Sequence, residues 1–93
     1  MKTEWREGAL YILSLPLDAM GRLAACAPGT PAETEVLAAL LAGAKVYLCP
    51  GALAYKHYRS AAGDGIYTRC TALERKLREM GIRRAPQSRP PLR

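Results

Sequence analysis

The chain has 93 residues, 49% of them apolar and 24% charged, and a net charge of +6. That is a globular mixture sized for one small domain, not the composition of a disordered chain. The longest apolar stretch, Val36 to Leu48, contains Lys45 and is too short to cross a bilayer, so no membrane contact is expected.

Met1-Lys2-Thr3-Glu4 leads into Trp5 and mixed charges, not into the apolar core of a secretory leader. Cys26, Cys49 and Cys70 are three and widely spaced, which argues against a disulfide framework. Both features predict a cytoplasmic chain. A domain this small buries only about 60–65% of its unfolded surface, so its core is marginal unless a partner adds to it. The charge is also uneven: residues 1–44 carry three basic and five acidic groups, residues 45–93 eleven and three. A basic second half fits a polyanionic partner, nucleic acid included, or a solvated face.

Residues 1–8 read as polar and ragged. Ala9-Leu10-Tyr11-Ile12-Leu13-Ser14-Leu15 is an unbroken apolar run, the pattern of a strand covered on both faces in a parallel sheet, and Pro16 ends it. Asp18 is placed to cap a short helix through Cys26, and Ala27-Pro28-Gly29 breaks that helix. Thr30-Pro31-Ala32-Glu33 is a capping box with proline at the first helical position. The helix it opens should bury Val36, Leu37, Leu40 and Leu41 and stop at Gly43.

Lys45-Val46-Tyr47-Leu48-Cys49 reads as a second strand, ended by the Pro50-Gly51 turn. A helix is predicted from Ala52 to Ser60, then a flexible break through Gly65. Ile66, Cys70, Leu73, Leu77 and Met80 fall on one face of a final helix, with Glu74/Arg78 and Arg75/Glu79 pairing on the solvent side. Gly81-Ile82 is its stop. The domain is therefore taken as 1–82, with 83–93 a basic Pro/Arg-rich disordered tail.

This order predicts an α/β half-domain: a small parallel sheet with a right-handed helical crossover, flavodoxin- or Rossmann-like, and a C-terminal helix. Two strands alone leave both edges open, which predicts a homo-oligomer or a partner protein covering them, unless the tail adds a strand. Ligands in such sheets bind beyond the carboxyl ends of the strands. That makes Ser14, Pro16, Asp18, Pro50 and Gly51 the candidate cofactor-binding residues. Lys56, Tyr58 and Arg59, with Tyr55 beside them, mix aromatic and basic groups and are the candidates for an anion or a partner. His57 has no acid or cysteine at a diagnostic spacing, and no C-x-x-C pair exists, so no catalytic or metal-ligating residue is assigned.

The segments Leu13–Met20, Ala42-Gly43-Ala44-Lys45-Val46-Tyr47, Tyr55–Arg59 and Leu73–Ile82 together resemble a flavoprotein-like family of ethanolamine- and propanediol-utilisation loci. Those loci build bacterial microcompartments. The likeness extends to the second half of the homo-oligomeric flavin-containing cysteine decarboxylase fold. It implies an accessory, non-catalytic module acting by self-assembly or protein–protein interaction. A small protein binding FMN or a nucleotide at a site completed across a subunit interface is the alternative, and a basic nucleic-acid-binding domain a further one. Where flavin-binding relatives carry an Asn-Thr pair this chain has Met20 and Gly21, and where they carry Met-Asn it has Ala52 and Leu53. The strand–helix turn that holds the flavin phosphate in those relatives has no counterpart in these residues.

Overall fold

A computed structural model describes residues 1–86. Strand β1 (Lys2–Arg6) pairs antiparallel with β2 (Ala9–Ser14). Helices α1 (Leu17–Ala24) and α2 (Pro31–Leu41) lead to β3 (Val46–Leu48). A short 3₁₀ helix (Ala54–Tyr58) and α3 (Asp64–Met80) lead to β4 (Ile82–Arg84). The sheet order is β1-β2-β3-β4, with β2, β3 and β4 parallel. The chain is thus an α/β domain with a mostly parallel sheet.

Two strands join the two expected ones: β1, which was not foreseen, and β4, the strand the tail was allowed to add. The stretch expected to be ragged forms β1, joined to β2 by Glu7 and Gly8, both at positive φ (49° and 82°). Two such residues make the tight turn whose twist matches a hairpin. Glutamate is a poor advertisement for that conformation, and β1 itself is almost wholly exposed. At the other end Ile82 is fully buried and pairs with Val46, while Arg83 and Arg84 continue the ladder beside Tyr47 and Leu48. The domain boundary expected at residue 82 therefore falls inside a strand. The rest of the expected tail, residues 87–93, lies outside the described residues.

Both crossovers step the same way along the sheet, and right-handed connections then put their helices on one face. Burial agrees: Leu10, Ile12, Val46, Leu48 and Ile82 are buried and face α1, α2 and α3, and α1 packs on α3. Tyr11 and Tyr47 lie on the opposite side by register, ring centroids 5.2 Å apart, with the Arg6 guanidinium 5.0 Å above the Tyr11 ring. So β2 is covered by helices on one side only. Its second row of apolar side chains is covered in part by neighbours in the sheet, which is why alternation was hidden in the sequence.

The capping box holds in modified form. Thr30 Oγ1 accepts from the Glu33 N–H at 3.2 Å, but the Glu33 carboxylate takes the Gly29 N–H at 2.7 Å and grips Arg22 at 2.7 and 2.6 Å. Glu33 thereby ties α2 to α1, although it is almost fully buried. On α2, Val36 is buried and Leu37 and Leu40 pack partly against the core. Leu41, expected in the same stripe, is 91% exposed; Ala39 takes the buried place. The helix predicted over Ala52–Ser60 is reduced to the 3₁₀ turn, because Ala52 and Ala54 are engaged with Leu15, extending the parallel pairing past the end of β2. Ile66 is likewise exposed rather than core. Gly81, at φ 114°, stops α3 and turns the chain straight into β4.

Candidate functional site

The carboxyl ends of β2, β3 and β4 share one edge of the domain, and the 3₁₀ helix divides that edge in two. On one side lies an apolar groove of about 580 Å³ between the start of α1 and the start of α3. Pro16 and Leu17 form one wall, Tyr55 and Tyr67 the floor, and Tyr58 and Ile66 the rim. Leu17, Tyr58 and Ile66 are 43%, 63% and 55% exposed, so three large apolar side chains meet water around one depression. The Tyr55 and Tyr67 rings sit 5.2 Å apart and tilted, a stable aromatic contact.

On the other side lies a cleft of about 520 Å³ between the Cys49–Leu53 loop, α3 and β4. The loop is a tight turn with Pro50 and Gly51 at its corner, Gly51 at φ 78° and the Ala52 N–H donating to the Cys49 carbonyl at 3.1 Å. Lys56, His57, Arg78 and Arg84 line this cleft, and Glu74 is the one acid among the described residues that do. Glu74 is only 6% exposed. It accepts from the Tyr55 hydroxyl and from Arg78 at 2.8 Å, and Lys56 Nζ stands 3.7 Å away. Burial pushes the Glu74 carboxyl up, but the Tyr55 hydrogen bond and the two cations outweigh it, so it stays below the usual carboxylate range. The same arrangement, burial first and then the carboxylate, raises the Tyr55 hydroxyl to about 12.

The residues singled out from the sequence do not converge. Pro16 and Tyr58 belong to the apolar groove, and Pro50, Gly51 and Lys56 to the basic cleft. Arg59 stands on the outer side of Lys56 with Arg75 and Arg78. Ser14 Oγ accepts the Lys2 N–H at 3.2 Å and so fastens β1 to β2. Asp18 does not cap α1: Pro16 occupies the cap position, and Asp18 lies in the first turn, pairing with Arg22 at 3.3 Å. Met20, Ala52 and Leu53 are buried in the core. None of those three side chains supplies a polar atom for a flavin ring.

Glu74, Arg78 and Arg84 were not foreseen as site residues. The i, i+4 spacing of the first two predicts a solvent-side pair. The pair exists, but Glu74 is four residues after Cys70 and three before Leu77, which are both buried. Its place on the core stripe was the available signal. Cys26 is exposed, Cys49 half-buried and Cys70 buried, and among the described residues they form no metal-binding group with His57 or the acids. The chain matches no family model, no curated protein and no solved structure.

Proposed function

We propose that the protein is a non-catalytic association module that acts by binding a second copy of itself through the apolar groove at the carboxyl edge of the sheet. The observation that carries this reading is the ring of exposed Leu17, Tyr58 and Ile66 around the groove. Clustered exposed apolar side chains around a concavity mark interaction surfaces on small soluble domains. The sheet edges favour this route over strand addition. β1 presents Lys2, Glu4 and Arg6, and β4 is three residues long with two arginines, and charged or short edges discourage pairing with another chain. The resemblance to microcompartment-locus proteins supports the same class of role, a structural accessory and not a catalyst.

Sedimentation velocity over a range of concentrations tests the proposal. The wild-type chain should show a concentration-dependent rise in mass, and Leu17→Ser with Ile66→Ser should abolish it while the far-ultraviolet circular dichroism stays unchanged. A wild-type chain that stays monomeric throughout, or a double variant that associates equally well, refutes it.

A further inference from the structure

The basic cleft is separate from the apolar groove, and its composition points to a ligand. Lys56, Arg78 and Arg84 are fixed positive charges around one carboxylate, Glu74. The carboxylate neutralises one of them, so among the described residues two positive charges remain in a concavity lined also by Leu48, Leu53 and Ile82. Lys56 and Arg78 are half-exposed, so both charges are within reach of a ligand arriving from solvent.

Glu74 is also the positioning element. Held at the base by the Tyr55 hydroxyl, it takes a direct bond from Arg78 and keeps Lys56 within 3.7 Å, a separation that leaves the ammonium's donors free for another acceptor. Arg84 approaches from β4 across the cleft, its register set by Leu48. Arg59 and Arg75 add to the positive field on the far side of Lys56 and Arg78. Cations brought together by three different elements repel one another, and an anion shared among them relieves that repulsion.

We propose that this cleft binds a compact polyanion of the pyrophosphate class: two linked phosphoryl groups, either as inorganic diphosphate or as the phosphate chain of a nucleoside diphosphate. Two uncompensated charges match a diphosphate better than a monoanion. The Arg84 guanidinium and the Lys56 ammonium, brought to the cleft by two different elements, suit phosphoryl oxygens, which accept several N–H groups at once. The cleft's volume, about 520 Å³, lies within the range of small-ligand sites. A concave site of that size favours a compact ligand over an extended nucleic-acid backbone.

Isothermal titration of the full chain with inorganic pyrophosphate, and separately with ADP, is the test. Both should bind saturably at one site per chain. Lys56→Gln with Arg84→Gln removes two cleft cations and should weaken both ligands by about tenfold or more, as charge-assisted hydrogen bonds are lost. Arg69→Gln with Lys76→Gln removes the same charge from α3 outside the cleft and should leave affinity within about twofold, since distant surface charges are screened. ADP binding no tighter than pyrophosphate assigns the site to the phosphate chain alone; ADP binding much more tightly assigns the apolar walls to the nucleoside. Either outcome supports the proposal. No saturable binding of either ligand overturns it, and that titration needs only the wild-type chain. Equal losses in the two double variants, or a single-stranded oligonucleotide that binds more tightly than pyrophosphate, overturn it too. Association through the groove is read by sedimentation, so the two proposals fail separately.

Discussion

The sharpest consequence of the fold concerns Ile82, because β4 turns a stretch that reads as helix stop and tail into part of the core. Ile82 is 0% exposed and faces the helices beside Val46. Truncation to alanine removes three carbons from water-free surroundings. At about 0.8 kcal/mol per buried methylene the transfer loss is about 2.4 kcal/mol, and the cavity left behind raises it to about 3 kcal/mol. Stability for a chain of 93 residues is of order 5–14 kcal/mol, so the loss is a substantial part of the whole. For a domain of this length, 3 kcal/mol corresponds to a fall in Tm of about 12–24 °C. Urea unfolding of Ile82→Ala against wild type, followed by circular dichroism, measures it as a shift in midpoint at constant slope. Arg83→Ala, on the same strand, loses only an exposed hydrogen bond to the Arg78 carbonyl and should cost no more than about 1 kcal/mol. Amide exchange gives a second reading: the Ala85 N–H, which donates to the Leu48 carbonyl at 2.8 Å, should be protected in wild type and lose protection in Ile82→Ala. A stability loss below about 0.5 kcal/mol would show that Ile82 meets water and that the sheet lacks its fourth strand.

Other perturbations test the remaining parts. Glu33 is held down to about 2 by the Arg22 hydrogen bond first and the Gly29 N–H next, against an ordinary value of 4.5. A depressed folded-state value stabilises above the unfolded value and is lost as the proton goes on. Glu33→Gln should therefore be less stable than wild type at pH 7, and the gap should close between pH 4.5 and 2 in parallel urea titrations. Tyr55 lies the other way: its raised hydroxyl makes the fold lose stability as pH climbs from 10 to 12, and ultraviolet titration should show a late tyrosine component that Tyr55→Phe removes. That variant should also cost about 1–3 kcal/mol, since it takes a donor from a buried carboxylate. Val36→Asp should destabilise by about 3 kcal/mol or more in thermal melts, while Leu41→Asp stays within about 0.5 kcal/mol; equal effects would mean that the face of α2 is misassigned.

Local chemistry made much of this protein legible before its fold. Thr30-Pro31-x-Glu33 marks the start of α2, Gly81 the end of α3, and the apolar runs around Ile12 and Val46 the two central strands, because caps, left-handed turns and core strands are written in adjacent residues. The basic excess of the second half was equally plain. What needed the tertiary structure was whatever depends on pairing at a distance. β1 has no apolar signature of its own and exists through its hydrogen bonds to β2. Ile82 reads equally well as a helix stop or a strand start, and only the vacant edge of β3 decides for the strand. Glu74 looks like half of a surface ion pair until Tyr55, nineteen positions away, closes over it. Burial is a property of what the rest of the chain brings to a residue. The cleft, assembled from a turn, a helix and an edge strand, could be seen only once those three were side by side.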